Sequence, residues 1–440
     1  LHFNMFLFAD EKEVEGVQDP MQFRHMKLCR WSLSILAAWP KRELGEPESK
    51  YLVLQTLALF LHAFIYLIAT VLYVVKAAGT ASFYNIGHMY ITIFMNCVAL
   101  SRLIMTWFKK YRDVSTFFMQ RIHLIYHKDK SPYAMETHII VHKMCHFFTM
   151  YLHFMMAMGI LLFNLTPLYK NYGAGLFSDN PPANVSFEHS IYLLLPFNCY
   201  TNKNGYFVLF AFNWNASYFC SACFCTFDLF LSLLVFHLWG HLRILKHNFE
   251  TFPRPNAILG NEGTGVVRFK NDEPQHVEMY TPAEMERVLK LLKEYIEHHK
   301  LILNFNSNVS ETFGPIIFIY YLFHQISGCL LLLLVSQLVM QYGPLTLIIF
   351  QQLIQLSIVF ELVGSMSERL IQAVYGMPWE CMDARGRRIV AIVLMKVQLP
   401  MHLKALGMAD VGVNTMASIR NVLFYRTNFS TLSFLPSRKI

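Results

Sequence analysis

Residues 51–75, "YLVLQTLALFLHAFIYLIATVLYVV", run for 25 positions without a charge. At about 1.5 Å of rise per residue, a helix of that length crosses a hydrocarbon core of about 30 Å with some tilt. The length of 440 residues would by itself suggest two or three soluble domains, but 55% of the chain is hydrophobic and only 15% is charged. A soluble surface of that size needs more charge to cover it. The chain reads as an integral membrane protein.

Working outward from this segment, six more apolar stretches qualify as spans, at roughly 82–107, 138–163, 206–238, 312–337, 344–366 and 407–430. The expected organisation is an N-terminal segment 1–50, a seven-span body 51–430 and a short tail 431–440. No repeat of 20 to 50 residues is visible. Residues 1–50 hold seven basic side chains and no apolar core followed by small residues, so no cleavable signal is expected.

Lysine and arginine set the direction of insertion. Segments 1–50, 108–137, 241–311 and 367–406 carry 28 of them, whereas 76–81, 164–205 and 338–343 carry 3. The expected fold is therefore all-α with seven transmembrane helices, N-terminus cytoplasmic and C-terminus extracellular. That is inverted relative to G-protein-coupled receptors, whose Asp-Arg-Tyr and Asn-Pro-x-x-Tyr signatures are also missing. Within 241–311, "TPAE" at 281–284 is a capping box with proline at the first helical position. The helix it opens runs towards the fifth span, which should extend well below the membrane.

Several motifs resolve to ordinary roles. "GNEGTG" at 260–265 lacks a following Lys-Ser/Thr and a preceding strand, and reads as a flexible loop rather than a phosphate cradle. His237 and His241 share a helix face without the glutamate of a zinc protease and read as interfacial. Cys220, Cys223 and Cys225 lie in an apolar run without histidine or cysteine at zinc-finger spacing, which favours packing over metal. Cys199, in a long loop, is available for a disulfide whose partner the sequence does not give. Of the Asn-x-Ser/Thr sites, Asn184 is the one placed comfortably outside and is the expected glycosylation site. No metal, cofactor or enzyme constellation emerges.

Two helix halves suggest an adaptable apolar wall. The outer half of span three contributes Met155 among other methionines; that of span four contributes Phe207, Phe210, Trp214 and Tyr218. His88 and Tyr90 in span two and Gln351 in span six add scarce polar groups at similar depth. An apolar pocket with one or two polar anchors suits a small hydrophobic ligand. In the last span, "DVGVNTMASIRNVLFY" at 410–425 places Asn414, Ser418, Asn421 and Tyr425 on one stripe. Such a stripe lines water or makes a polar seam between helices.

"FELVGSMSERL", "MPWECMDARGRRIVAIVLMKVQLP" and "LKALGMADVGVNTMASI", all within 360–419, resemble the C-terminal region of insect odorant receptors. "KEVEGVQDPMQFRHMKLCRWSLSILAAWP" near the N-terminus and "YYLFHQISGCLLLLL" at 320–334 resemble the moth pheromone-receptor branch. The resemblance implies a ligand-specific subunit that assembles with the odorant receptor co-receptor into a tetrameric, non-selective cation channel of the olfactory neuron's plasma membrane. It further implies a ligand among the outer halves of spans two, three, four and six, with the last helix lining the pore. The expected ligand is a long-chain fatty alcohol, aldehyde or acetate. Partners are then the co-receptor, a small hydrophobic volatile and membrane lipid, with neither nucleic acid nor an obligatory G protein. The rival readings are a transporter and a receptor for small plant volatiles. The end of the chain, "RNVLFYRTNFSTLSFLPSRKI", departs from the family pattern at Arg420 and Arg426.

Overall fold

A computed structural model of the protein describes residues 14, 16–79, 83–178, 182, 185–255, 266–270, 273–277, 279–335, 339–406, 409–410 and 412. It is built from helices α1 (Arg24–Ile35), α2 (Leu52–Ala77), α3 (Phe83–Met105), α4 (Lys109–Phe117), α5 (Pro132–Gly173), α6 (Lys203–Glu250), α7 (Pro282–Val335), α8 (Val339–Tyr375) and α9 (Ala384–Val397). Two small antiparallel pairs accompany them, β1 (Val266–Lys270) with β2 (Glu273–Val277) and β3 (Lys404–Ala405) with β4 (Ala409–Asp410). Among the described residues, six helices are long and apolar enough to cross a membrane, namely α2, α3, α5, α6, α7 and α8. The expected seventh span, 407–430, falls almost entirely outside the described residues, and so do Asn414, Ser418, Asn421, Tyr425, Asn184 and the loop 260–265.

The helices are longer than their apolar cores. The fifth span is the end of a 54-residue helix, and the fourth the first part of a 48-residue one. Local chemistry sets their starts. The Glu284 carboxylate accepts from the Thr281 backbone N–H at 2.9 Å, and Thr281 Oγ1 accepts from the Glu284 N–H at 3.3 Å. Each side chain thus satisfies an orphan donor of the first turn of α7, with Pro282 at N1. Ser131 caps α5 by accepting from the Ala134 N–H at 3.1 Å, ahead of Pro132. Asp383 does the same for α9 through the Gly386 N–H at 2.6 Å.

The most apolar window of α6 is 94% buried and that of α2 only 28%. Helix α6 is the axis of the bundle, held mainly between α5 and α8, while α2 leans on α3 at the periphery. The bundle has two unlike ends. At the first, which we call the basic end, α1 packs across α5 and α6, and the first half of α7 meets α6. At the far end, the 174–202 connection is irregular but tightly held. Its Ile191, Leu193 and Cys199 bury against Tyr66, Val74, Met89, Leu209 and Ala216. Tyr73, Tyr192 and Tyr200 stack in sequence, with centroid separations of 5.3 and 5.9 Å. A Cβ on Gly205 would lie 2.2 Å from the Asn198 carbonyl oxygen, so only glycine lets this connection close onto α6.

Cys199 is a buried free thiol, and a disulfide at that position is not formed. Cys220, Cys223 and Cys225 are buried thiols on α6. His237 and His241 do more than sit at an interface. Around Phe23, the rings of His25, His123, His138 and His142 lie with centroids 4.6 to 5.9 Å from its own. His237 joins them 4.1 Å from His123 and accepts from the Leu124 backbone N–H at 3.1 Å. One turn further, His241 Nε2 donates to the Ile122 carbonyl at 2.7 Å, which leaves its Nδ1 to accept from His298 Nε2 at 2.9 Å. Imidazoles thus stitch α1, the 118–130 segment, α5, α6 and α7 together at the basic end.

Candidate ligand-binding cavity

The spacing of polar side chains on two helices builds one wall. On α3, His88, Thr92 and Asn96 follow at i, i+4 and i+8; on α6, Asn213 and Ser217 do so at i and i+4, ahead of Cys220 and Phe224. Positions four apart share a helix face. These faces meet α5 and α8 around a cavity of about 150 Å³, lined also by Gly159, Ile160, Phe163, Ile348, Ile349 and Gln352. Glu188, His189, Ser190 and Ile191, from the far-end connection, close it.

That closing segment is anchored on both sides. Asn171 at the end of α5 donates from Nδ2 to the Glu188 carbonyl and accepts from the Glu188 N–H, each at 2.8 Å. Lys170 pairs with the Glu188 carboxylate at 3.1 Å. Asn213 Nδ2 donates to the Ile191 carbonyl at 2.9 Å, tying the segment to α6. His189 Nε2 donates to the Cys199 carbonyl at 3.1 Å. Burial pushes the His189 imidazole down to about 4, against a smaller opposing pull from the Cys199 carbonyl, so it is neutral at physiological pH.

Below the cavity lies a buried ion pair. Arg102 of α3 reaches Asp228 of α6 at 2.7 Å and also donates to the Cys223 and Phe224 carbonyls at 3.1 and 2.7 Å. Its guanidinium lies 4.7 Å from the centre of the Phe224 ring and 5.1 Å from that of Tyr320. Phe224 therefore joins cavity and ion pair.

Of the site residues expected from the sequence, His88 lines the cavity. Tyr90 packs beside the far-end cluster, and Phe210 sits against Leu176, Phe187 and Tyr206. Phe207 borders a separate shallow depression with Leu165, Tyr169 and Phe177. Trp214 packs at a tilt against Phe210, and Tyr218 is 36% exposed. Met155 is half-buried on α5, outside the cavity lining. Gln351 hydrogen-bonds Tyr151 and, at 2.7 Å, Gln355, while its neighbour Gln352 faces the cavity. The sequence reading missed Thr92, Ser217 and the whole 188–191 segment. The first two carried a signal in their i, i+4 spacing with other polar groups; an irregular segment carries none.

A membrane bundle with a partly open, mostly apolar cavity among four of its helices has the form of a small-molecule receptor. Residues 83–424 match the family model described as 7tm Odorant receptor, and the chain belongs to that family. Its fold is similar to that of the insect olfactory receptor OR5 from Machilis hrabei, with a TM-score of 0.71, 14% identity, and 92% of this chain and 97% of that one covered. The same receptor in complex with eugenol gives a TM-score of 0.69 and 13% identity over 91% of this chain and 95% of that one. No curated protein matches the chain by sequence.

Proposed function

We propose that the protein is the ligand-specific subunit of an odorant-gated, non-selective cation channel, assembled with the odorant receptor co-receptor in the plasma membrane of an olfactory neuron. Seven helices span the membrane, the N-terminus is cytoplasmic and the C-terminus extracellular. The 28-to-3 division of basic residues supports that orientation. The seventh helix, 407–430, lines the pore with Asn414, Ser418, Asn421 and Tyr425, and Asn184 on the outer side carries a glycan. Phe207, Phe210, Trp214 and Tyr218 belong to the outer wall of the ligand region with Met155, Tyr90 and Gln351; His88 belongs to the cavity itself.

The observation that carries the proposal is the roofed apolar cavity between α3, α5, α6 and α8 with its clustered polar groups. The resemblance of the N-terminal arm and of 320–334 to moth pheromone receptors favours a long-chain alcohol, aldehyde or acetate. The size of the cavity favours a second reading, a receptor for compact volatiles. A cavity of about 150 Å³ is the size that accommodates a benzene ring. A chain of sixteen carbons would have to widen it or extend out through its open side. Currents recorded from cells co-expressing the chain with the co-receptor separate the two, using long-chain pheromone components and compact aromatic or terpenoid volatiles. Currents without the co-receptor, or fast responses abolished by a G-protein inhibitor, would show the channel assignment to be wrong.

A further inference from the structure

Four hydroxyls that line the cavity, those of Thr92, Thr166, Ser190 and Ser217, have one property in common. Thr92 Oγ1 donates to the His88 carbonyl at 3.0 Å, and Thr166 Oγ1 to the Leu162 carbonyl at 2.6 Å. Ser217 Oγ donates to the Asn213 carbonyl at 2.6 Å, and Ser190 Oγ to Asn164 Oδ1 at 3.3 Å. Asn164, behind the serines, keeps that oxygen turned towards them because its Nδ2 donates to the Ile160 carbonyl at 2.9 Å. The Cys220 thiol leans on Asn96 Oδ1 at 3.5 Å.

A hydroxyl has one proton and two lone pairs. Once the proton is committed to a protein carbonyl, the group offers only acceptance. His189 obeys the same logic. A carbonyl accepts and cannot donate, so the 3.1 Å contact with Cys199 places the imidazole proton on Nε2. Its Nδ1 is then a bare acceptor, buried and without a partner. At the rim, the Lys170 ammonium is occupied by the Glu188 carboxylate at 3.1 Å. The Gln352 amide, resting on the Cys225 sulfur at 4.0 Å, is a donor on the opposite wall, and His88 carries one ring N–H.

We infer that the cavity selects ligands whose head group is a hydrogen-bond donor, an alcohol or a phenol, over carbonyl and ether analogues of the same shape, with Ser190, Ser217 and His189 as the accepting groups. The inference rests on the proposed ligand cavity and narrows it. An alcohol O–H meets lone pairs on the α6 and 188–191 walls. An aldehyde, acetate or ether brings lone pairs against lone pairs and leaves His189 Nδ1 desolvated without a proton. Losing a hydrogen bond to a buried acceptor costs about a factor of ten in affinity.

The test is a matched series on the chain co-expressed with the co-receptor. Primary alcohols from six to sixteen carbons, and benzyl alcohol, are compared with their methyl ethers, aldehydes and acetates, and the half-maximal concentrations are read from dose–response currents. The most potent compound should be an alcohol, with its methyl ether about tenfold weaker. His189→Phe keeps a ring of similar shape but removes the free acceptor, together with the donor to the Cys199 carbonyl. Together with Ser217→Ala it should bring the alcohol-to-ether ratio towards one, while Ser217→Thr, which retains the hydroxyl, should preserve it. An aldehyde, acetate or ether more potent than every alcohol would move the head-group contact to the Gln352 amide and overturn the inference, as would silence to all the alcohols. Gly159→Leu tests the cavity separately, because a Cβ there has only Ile348 within 4 Å, at 3.7 Å, and the added side chain fills the space. Responses unchanged by Gly159→Leu would refute the cavity itself, whichever compound is preferred.

Discussion

Replacing Arg102 by methionine is the most informative single perturbation of this bundle. The Arg102 and Asp228 side chains are 3% and 6% exposed and 2.7 Å apart. The guanidinium also serves the Cys223 and Phe224 carbonyls at 3.1 and 2.7 Å. Methionine fills much of the same volume but strands the Asp228 carboxylate in an apolar interior. Breaking a buried pair from one side costs about 3–5 kcal/mol, whereas replacing both partners by apolar groups of similar volume is often close to neutral. At about 1.4 kcal/mol per tenfold, Arg102→Met should shift the folding equilibrium by two to three and a half powers of ten. Asp228→Asn should cost less, since the guanidinium keeps its two backbone carbonyls and gains an amide oxygen. The double variant Arg102→Met, Asp228→Leu should recover most of the loss. Thermal melts of the detergent-solubilised protein, followed by size exclusion of a fluorescent fusion, give the order directly. A double variant no more stable than Arg102→Met, or an Arg102→Met protein that melts with the wild type, would show that the pair is not what holds α3 to α6.

Three other outcomes are expected. Asn171→Ala removes both hydrogen bonds to the Glu188 backbone, at about 1 kcal/mol each, and should raise hydrogen–deuterium exchange over 185–201; unaltered exchange there would mean the clasp is dispensable. Gly205→Ala places a methyl 2.2 Å from the Asn198 carbonyl oxygen, and should cost about 1–3 kcal/mol and lower surface level; a fully expressed, equally stable variant counts against the close approach. Burial, and after it the neighbouring imidazoles, hold His25 and His123 well below the ordinary histidine value, and burial lowers His127. With folded values depressed, their contribution is complete above about pH 6.5 and is lost as the pH falls below it, because the opened state takes up the protons. The melting temperature should therefore drop between about pH 6.5 and 5. His25→Leu should flatten that drop, and an unchanged slope would remove His25 from the account.

Much of the fold could be read from the sequence because it rests on local patterns. An uncharged run of 25 residues can hardly be anything but a span, and Thr281–Glu284 with Pro282 marks a helix start wherever it occurs. The ligand wall was harder, and helix α6 shows why. It is apolar all round, so periodicity does not say which face looks inward. Phe207, Trp214 and Tyr218 attract attention as aromatics and share one stripe, but the cavity is lined by Ala216, Ser217, Cys220, Ser221 and Phe224, centred about 110° further round at 100° per residue. The better guide was chemical cost. Small polar groups such as Asn213 and Ser217 have no reason to face lipid, and they mark the packed side.

The same reasoning reaches the ion pair. Arg102 is the single charge in 82–107, and Asp228 the single charge in 206–238. A lone charge in mid-span costs about 2.5–3.5 kcal/mol on insertion scales, so each demands a partner; Glu361 and Asp410 are further acids in the apolar segments, and the structure pairs Arg102 with Asp228. From that pairing alone follow the adjacency of α3 and α6 and the depth at which they touch. It also follows that Phe224, one turn from Asp228, is pinned between the guanidinium and the cavity. A ligand pressing on that ring presses on the bond that holds the two helices together, so a change at Arg102 should alter ligand potency as well as stability. Arg102→Lys provides the discriminating case. It keeps the charge but loses the flat face over Phe224 and the fork that serves two carbonyls and a carboxylate together. A protein that reaches the surface normally, yet responds with a shifted half-maximal concentration, is the expected result. Normal surface level with an unchanged dose–response curve would confine Arg102 to a purely structural role.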